Sequence, residues 1–297
     1  IDFSLLVDGL LAEREQGITI DVAYRFFSTH RRKFIVADTP GHEQYTRNMA
    51  TGASNADLAL VLVDARKGLS TQTRRHSFIL SLLGVKHVVL VVNKIDLVDY
   101  SQDVFEQIAA EYRAFAGGLG FASLAALPVS ALRGDNITTP SARTPWHEGP
   151  ALVPYLETIA VDADRSGQRL RFPVQWVNRP DLDFRGYSGT LASGRLAVGE
   201  EVLVAASRQP ARISRIVTMD GEQKEASAGE AVTLVLDRQV DISRGDMLSH
   251  AGEGPDFSNQ FQARLIWMAE EAAQPGRSYL LKLGPQLVPA SITNLKF

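Results

Sequence analysis

The most informative stretch of this chain is Phe34-Ile35-Val36-Ala37-Asp38-Thr39-Pro40-Gly41-His42. Its apolar first half predicts a buried β-strand, and the Pro-Gly pair predicts a turn directly after Asp38. Such an arrangement places a carboxylate and a backbone N–H at the carboxyl edge of a sheet, where open α/β sheets bind their ligands. The Asp-x-x-Gly pattern alone is weak, because aspartate and glycine are common turn residues. Two further segments, in order along the chain, support a ligand site.

Around this stretch, apolar runs of strand length alternate with amphipathic patterns of helical spacing. Buried strands are predicted over residues 58–63, 88–92 and 127–129, with helices between them. This order indicates a mostly parallel sheet with right-handed crossovers and helices on both faces. Upstream, residues 18–24 alternate apolar and polar side chains, which predicts a strand, and residues 26–37 predict an antiparallel pair. The first part of the chain is therefore of the α/β class.

The pattern changes to a period of two after a polar linker at residues 162–168. Short strands separated by glycine-bearing turns then predict small β-barrels. One of these strands is predicted over residues 261–267. Earlier in the chain, the segment at residues 134–150 is rich in Gly, Pro, Ser and Thr and is predicted to be a mobile loop. We expect three domains: an α/β domain over residues 1–161, a β-barrel over residues 168–252 and an incomplete second β-barrel over residues 255–297.

Composition restricts the class of protein only coarsely. Hydrophobic residues make up 45% of the 297 residues and charged residues 22%, which is typical of a soluble globular protein. The longest apolar runs are of strand length, so no membrane span is expected. The net charge of -3 gives no basic footprint for nucleic acid. Because the chain contains no cysteine, thiolate metal sites are excluded and a reducing compartment, the cytoplasm, is expected.

The second segment, Asn93-Lys94-Ile95-Asp96, follows a predicted buried strand. It matches the guanine-selecting signature of GTP-binding proteins. A carboxylate such as that of Asp96 can accept hydrogen bonds from both N1–H and the exocyclic amino group of guanine, which adenine does not offer in that arrangement. The stem of Lys94 would lie against the base plane, and Asn93 would join neighbouring loops. The alternative is that these residues form only a polar turn.

The third segment, Ser130-Ala131-Leu132, resembles the loop whose backbone N–H contacts guanine O6, although it is uninformative alone. At the other end of the nucleotide, Asp38 would hold a water bound to Mg²⁺, and the Gly41 N–H would bind the γ-phosphate. Thr19 would supply a hydroxyl to the same ion and order the first switch when GTP is present. Strand-end position and order together indicate a GTPase.

The three motifs together resemble the elongation factor Tu type of GTPase, in which a P-loop-type α/β GTPase domain is followed by all-β barrel domains. The resemblance implies that GTP, GDP and Mg²⁺ bind and that His42 orients the attacking water, the role of glutamine in Ras-like proteins. Thr19 and, through water, Asp38 would contact the metal. The first switch would contain Gly17, Ile18 and Thr19. The implied GTP-binding residues are Asp38, Thr39, Pro40, Gly41, His42, Asn93, Lys94, Ile95, Asp96, Ser130, Ala131 and Leu132.

One departure from that family is the P-loop, Gly-x-x-x-x-Gly-Lys-Ser/Thr, which occurs nowhere in these residues. Without it the phosphates lose a backbone cradle, a lysine and a magnesium ligand. In the resembled family the P-loop precedes the first switch, and the chain begins just ahead of that segment. We therefore expect an N-terminal piece that is missing from these residues by truncation or disorder, rather than a GTPase that naturally lacks the loop.

Two stretches in the predicted second domain narrow the resemblance: Phe172-Pro173-Val174-Gln175-Trp176-Val177-Asn178-Arg179-Pro180 and Asp183-Phe184-Arg185-Gly186-Tyr187. They are similar to the large, GTP-hydrolysing subunits of bacterial sulfate adenylyltransferase. That resemblance implies a complex with a small catalytic subunit, which makes adenosine 5'-phosphosulfate and pyrophosphate from ATP and sulfate. GTP hydrolysis would drive this uphill reaction of sulfate assimilation, without nucleic acid or membrane as a partner.

Two other functions remain as alternatives. A translation elongation factor that delivers aminoacyl-tRNA would share the GTPase motifs, but it would need a basic groove along the β-barrels. Arg208, Arg212 and Arg215 cluster in the predicted second domain, yet Asp220 and Glu222 follow them closely. A nucleotide-independent scaffold is supported only by the missing P-loop.

Overall fold

The computed structural model describes residues 11–16, 18–161, 165–180 and 184–296. It divides the chain into two compact units, Ile1–Val161 and Asp162–Phe297. The first unit is of the predicted α/β class, and the second unit is rich in β-strands. The three domain boundaries proposed from the sequence stay a prediction.

The first unit begins with helix α1 (Leu11–Gln16), which is followed by strands β1 (Ala23–Ser28) and β2 (Lys33–Asp38). The two strands form the predicted antiparallel pair, with Ala23 opposite Asp38. The prediction that the apolar half of β2 is buried is wrong: Ile35 and Val36 are exposed, because this pair has no third described strand beside it.

The strand predicted over residues 18–24 is wrong for its first five residues, because side chains rather than a neighbouring strand bind the backbone groups there. The Glu13 carboxylate accepts the N–H groups of Ile20 and Asp21 at 2.9 and 3.0 Å, and Asn48 Nδ2 donates to the Ile20 carbonyl at 2.8 Å.

A three-stranded parallel sheet forms the centre of the first unit. Strand β4 lies between β3 and β5, and its residues 88–92 are almost completely buried. Continuous Val and Leu runs suit a strand that is covered on both faces. The elements, in chain order after β2, are α2 (Thr46–Ala53), β3 (Leu58–Asp64), α3 (Thr71–Leu83), β4 (His87–Asn93), α4 (Gln102–Ala116), β5 (Ser123–Pro128) and α5 (Leu152–Thr158).

Helices α3 and α4 begin at serine residues whose hydroxyls accept a backbone N–H of the first turn. The Ser70 hydroxyl accepts the Thr73 N–H at 3.0 Å in a capping box, and α3 ends at Gly84 with a φ of 85°. The Ser101 hydroxyl caps α4 in the same way through the Val104 N–H. No helix in the described ranges is long and apolar enough to cross a membrane.

Residues 134–150 form no helix or strand, but the prediction of a mobile loop does not fit their hydrogen bonds. Asn136 is fully buried and donates to the Pro128 carbonyl at 2.8 Å and to the Thr144 hydroxyl at 2.9 Å, while its own oxygen accepts the Ser141 N–H at 2.7 Å. Polar residues thus hold this loop against the end of β5 through specific bonds. Composition indicated the polarity, but it could not reveal these partners.

The described residues of the second unit form ten strands up to residue 249, most of them in one antiparallel sheet with the order β6-β15-β10-β11-β14-β8-β7. The chain from Phe172 to Asn178 pairs with β15 at its start and with β8 at its end, so this segment closes the sheet as in a barrel. The strands are β6 (Phe172–Pro173), β7 (Trp176–Asn178), β8 (Gly186–Thr190), β9 (Arg195–Ala197), β10 (Glu201–Val204), β11 (Pro210–Thr218), β12 (Gly221–Gln223), β13 (Glu225–Ser227), β14 (Ala231–Leu236) and β15 (Met247–Ser249).

Alternate side chains of these strands form a single apolar core, which includes Phe172, Ile216 and Leu234. Tyr187 also lies in this core, and its hydroxyl donates to the Val240 carbonyl at 3.1 Å. The stretch around Tyr187 therefore has a structural role in the barrel. Asp183, which belongs to the same sequence stretch, lies outside the described residues.

After residue 249 the described chain forms one hairpin, made of strands β16 (Ser278–Leu283) and β17 (Gln286–Ser291). The strand predicted over residues 261–267 is wrong, because these residues pair with no described strand. Their side chains are largely exposed, including those of Phe261 and Leu265. An alternating pattern needs a neighbouring strand before it can form a ladder.

Replacing Asn136 by glycine should lower the free energy of unfolding of the first unit by about 2–4 kcal/mol, since three buried hydrogen bonds are lost. Urea unfolding followed by helical circular dichroism measures this, because the five helices described all lie in that unit. Asn136→Ala should cost about 1 kcal/mol more, since φ at Asn136 is 57°, where alanine is strained and glycine is not. A loss below about 0.5 kcal/mol, the scale of an ordinary surface substitution, would contradict the role of Asn136.

Candidate functional site

The loops after β4 and β5 are joined by one side chain, that of Asn93. Its Oδ1 atom accepts the Lys94 N–H at 2.7 Å and the Ala131 N–H at 3.0 Å. The backbone supports the same junction, because the Ile95 N–H donates to the Val129 carbonyl at 3.2 Å. Ile95 itself is fully buried, so its side chain supports the loop from the protein interior.

The carboxylate of Asp96 lies in this junction, and only 6% of its side chain is exposed. A hydrogen bond from the fully buried Ser130 hydroxyl and the nearby Arg133 guanidinium, 3.5 Å away, lower the pKa of Asp96 below its usual range. Burial acts in the opposite direction but does not prevail. Asp96 is therefore an ionised hydrogen-bond acceptor at neutral pH, although it is nearly buried.

A pocket of about 400 Å³ opens beside this carboxylate. It combines a buried anion with the stem of Lys94 and with Leu132, whose side chain is 89% exposed. A planar ring that presents two N–H donors to Asp96 would be complementary to these groups. The lining residues are Arg66, Asn93, Lys94, Asp96, Leu97, Ala131 and Leu132.

The second half of the candidate site follows β2. Asp38 is the last residue of that strand, and Thr39 contacts helix α2 so closely that a Cβ atom at Gly52 would lie 2.5 Å from Thr39 Cγ2. Pro40 is buried, whereas Gly41 and His42 are exposed. The His42 carbonyl accepts the Tyr45 N–H at 3.0 Å, which begins a short 3-10 helix over Glu43–Tyr45. The loop thus presents its glycine and histidine to solvent.

The segment that contains Thr19 runs next to this loop. Val22 and Thr39 both approach Gly52 of α2, and Ala23 pairs with Asp38. Ile18 and Thr19 are partly buried, whereas Gly17 lies outside the described residues. The oxygen atoms of Thr19 and Asp38 are of the type that Mg²⁺ prefers, so these two residues are chemically suitable for a magnesium site with water as the remaining ligand.

The structure therefore groups the predicted residues into two sets. Asn93, Lys94, Asp96, Ala131 and Leu132 line one pocket, and Ser130 and Ile95 support it from behind. The residues after β2 form the second set with the Thr19 segment. The sequence did not predict four residues that support these two sets: Glu13, Asn48, Asp64 and Arg66. Glu13, Asn48 and Asp64 reach them from distant positions in the sequence.

Helices packed on a parallel sheet, with polar loops at the carboxyl ends of the strands, define this unit as an α/β protein of the nucleotide-binding type. The profile of the family described as "Elongation factor Tu GTP binding domain" matches residues 2–227. The chain belongs to that family, and the resemblance to elongation factor Tu-type GTPases is confirmed.

The whole chain also matches two longer relatives. It is 58% identical over 297 residues to "Bifunctional enzyme NodQ" of Rhizobium sp. (strain N33), and 59% identical to the protein of the same name from Azospirillum brasilense. The match covers 100% of this chain but 46% and 48% of those relatives, so the chain spans about half of their length.

A solved bacterial selenocysteine-specific elongation factor, EF-Sec, is similar in fold. The TM-score is 0.50 at 22% sequence identity, with 96% of this chain and 47% of the other chain covered. This likeness supports the fold class, an α/β GTPase domain followed by β-barrels.

Ser130→Ala should weaken guanine nucleotide binding most strongly in acid. Loss of the hydroxyl raises the pKa of Asp96 towards its ordinary value. If GDP binds through this carboxylate, as the pocket predicts, affinity is present above that pKa and is lost as the pH falls through it, so the variant should lose GDP affinity at a higher pH than the wild type. At neutral pH the loss should be no more than about tenfold, the scale of one hydrogen bond.

Calorimetric titration with GDP across the acid range measures this shift. Ser123→Ala is the matched control, since the Ser123 hydroxyl bonds His87 at the opposite end of the sheet. Identical pH profiles for the wild type and Ser130→Ala would contradict the role of Ser130.

Proposed function

We propose that this chain is the GTP-hydrolysing part of a sulfate adenylyltransferase, which couples GTP hydrolysis to the synthesis of adenosine 5'-phosphosulfate and pyrophosphate from ATP and sulfate. The observation that carries the GTP part is the pocket at the end of β4, where Asp96 is nearly buried, ionised and open to a ligand. The sulfate part rests on the second-domain sequence stretches described above and on the match of this whole chain to about half of the length of relatives named as bifunctional enzymes.

In the proposed complex, guanine lies in the pocket with N1–H and the exocyclic amino group donating to Asp96. The Lys94 stem covers one face of the base, and the Ala131 N–H lies in the loop that would contact O6. In this scheme Asn93 shapes the pocket, because its side-chain oxygen accepts N–H groups from both loops and so joins them. Adenine would present an acceptor at N1 where Asp96 needs a donor, which gives the selectivity.

The triphosphate end would lie at the loop after β2. The Gly41 N–H is suited to the γ-phosphate because the loop is exposed and the space around Gly41 is open. Thr19 and, through water, Asp38 would hold Mg²⁺, which neutralises phosphate charge when bound. His42, next to Gly41 and exposed, would orient the water that attacks the γ-phosphorus, releasing phosphate and leaving GDP.

Coupling to sulfate activation requires a small catalytic subunit as partner, and we propose that both act in the cytoplasm. GTP can drive the other subunit only if the two nucleotide states offer it different contacts. The segment of Thr19 and the loop of His42 are the parts of this chain whose contacts would depend on the γ-phosphate. They are therefore the proposed origin of the signal.

His42→Ala should leave GTP and GDP affinity nearly unchanged and lower the rate of GTP hydrolysis by roughly 10²–10⁴-fold, the usual scale for a positioned proton-handling group. Single-turnover hydrolysis by the full-length protein measures the rate, and equilibrium binding measures the affinity. His30→Ala is the control, because His30 is an exposed histidine in the β1–β2 turn. Normal turnover in His42→Ala would remove His42 from the mechanism.

The whole proposal predicts that the full-length protein turns over GTP faster when the small subunit, ATP and sulfate are all present than when any one is omitted. Phosphate release from GTP, measured alongside adenosine 5'-phosphosulfate formation, tests this directly. If ribosomes with aminoacyl-tRNA stimulate turnover instead, the protein is a translation factor. If GTP does not bind at all, the GTPase proposal itself fails.

A further inference from the structure

The end of β3 carries an ion cluster whose central carboxylate, that of Asp64, belongs to none of the GTPase motifs described above. Asp64 is the last residue of that strand, and only 16% of its side chain is exposed. Its carboxylate accepts Arg66 Nε at 3.0 Å and Arg66 Nη2 at 2.6 Å. Lys94 Nζ donates to the same carboxylate at 3.1 Å. One carboxylate thus joins two cations that come from different loops.

The sheet dictates this meeting. Asp64 stands opposite Asn93 in the parallel register of β3 and β4, and the Ala65 N–H donates to the Asn93 carbonyl at 2.9 Å. Directly after Asp64 the chain turns, with the Gly68 N–H donating to the Asp64 carbonyl at 3.0 Å. Gly68 has a φ of 67°, which favours glycine. The turn directs Arg66 to the same pocket that Lys94 lines.

Stability alone does not explain the cluster. About half of each cationic side chain is exposed, 47% for Arg66 and 48% for Lys94. Ion pairs at such exposure contribute little to folding, because water and salt screen them. Such pairs do, however, fix the orientation of the side chains, since the planar guanidinium of arginine binds a carboxylate through two parallel hydrogen bonds. The two cations also hold the pKa of Asp64 well below its ordinary value, so the carboxylate stays charged.

Lys94 needs such a fixed direction. Its φ is 61°, a left-handed conformation that residues other than glycine adopt rarely, so the backbone turns sharply at this point. A lysine side chain has four rotatable bonds and loses considerable conformational entropy when it is held in one rotamer. A carboxylate that holds the ammonium before a ligand arrives would pay that cost in advance.

We propose that Asp64 is a positioning residue of the base pocket, which holds the Lys94 stem in place along the base and holds Arg66 as a further wall of the pocket. This inference rests on the proposed function, since it takes guanine as the base. Asp64 acts through Lys94 and Arg66 and does not itself contact the nucleotide.

The test is Asp64→Asn in the full-length protein, with dissociation of a fluorescent GDP analogue as the readout. The amide keeps the shape of the side chain but loses its charge, so dissociation should be roughly tenfold faster while the thermal midpoint stays nearly unchanged. Glu111→Gln is the matched control. It removes another arginine–carboxylate pair of 2.6 Å, the one that Glu111 forms with Arg74 between α3 and α4.

A double-mutant cycle shows whether Asp64 works through Lys94. In a Lys94→Ala background, Asp64→Asn should change GDP dissociation much less than it does in the wild type. Fully additive effects, or unchanged dissociation in Asp64→Asn alone, would overturn the proposal.

A second readout needs no nucleotide and separates this proposal from the proposed function. The rate at which an amine-acylating reagent modifies Lys94, followed by mass spectrometry, should rise several-fold in Asp64→Asn and stay constant in Glu111→Gln. If the wild type binds no GDP but Lys94 becomes more reactive in Asp64→Asn, the positioning holds and the GTPase proposal fails. Equal reactivity of Lys94 in the wild type and in Asp64→Asn would overturn the proposal that Asp64 positions Lys94.

Discussion

The amide oxygen of Asn93 is the side-chain acceptor that joins the two loops of the proposed base pocket. It receives N–H groups from the loop after β4 and from the loop after β5, so both loops have one fixed separation. This is possible only because the parallel register brings the ends of β3, β4 and β5 to one edge. Residues 88–92 of β4 are buried and apolar, and His87 and Asn93 bound this run, so a slip in register would bury a polar side chain.

The two halves of the site differ in how they are held. The base half rests on backbone hydrogen bonds, on a buried serine and on the loop anchored by Asn136, so its geometry exists before a ligand binds. In the other half, Gly41 and His42 are exposed, and the neighbouring segment is fixed by side chains rather than by a strand ladder. Under the proposed function, a base pocket held in this way and an exposed loop for the phosphates would suit a nucleotide-dependent switch.

The sequence predicted what local pattern controls and failed where distant contacts decide. Strands β3 and β4, helices α3 and α4, and the grouping of Asn93, Lys94, Asp96 and Ala131 could all be predicted, because apolar periodicity and strand-end position carry that information. The strand expected at residues 18–22 failed because Glu13 and Asn48 take the backbone groups that a ladder would use. Asp64 and Lys94 are 30 residues apart, so no spacing rule could have paired them.

The contacts of Ile20 suggest how a change at the phosphate end would travel. Glu13 binds its N–H and Asn48 binds its carbonyl, so Ile20 is held by helix α1 on one side and by helix α2 on the other. In the proposed cycle, Thr19 gains or loses a metal contact immediately before this residue. Because the peptide links the two, a backbone displacement at Thr19 would act on these two bonds and, through them, on helices α1 and α2. Helix α2 also packs through Gly52 against Thr39. The same helix therefore contacts both the segment of Thr19 and the loop after β2.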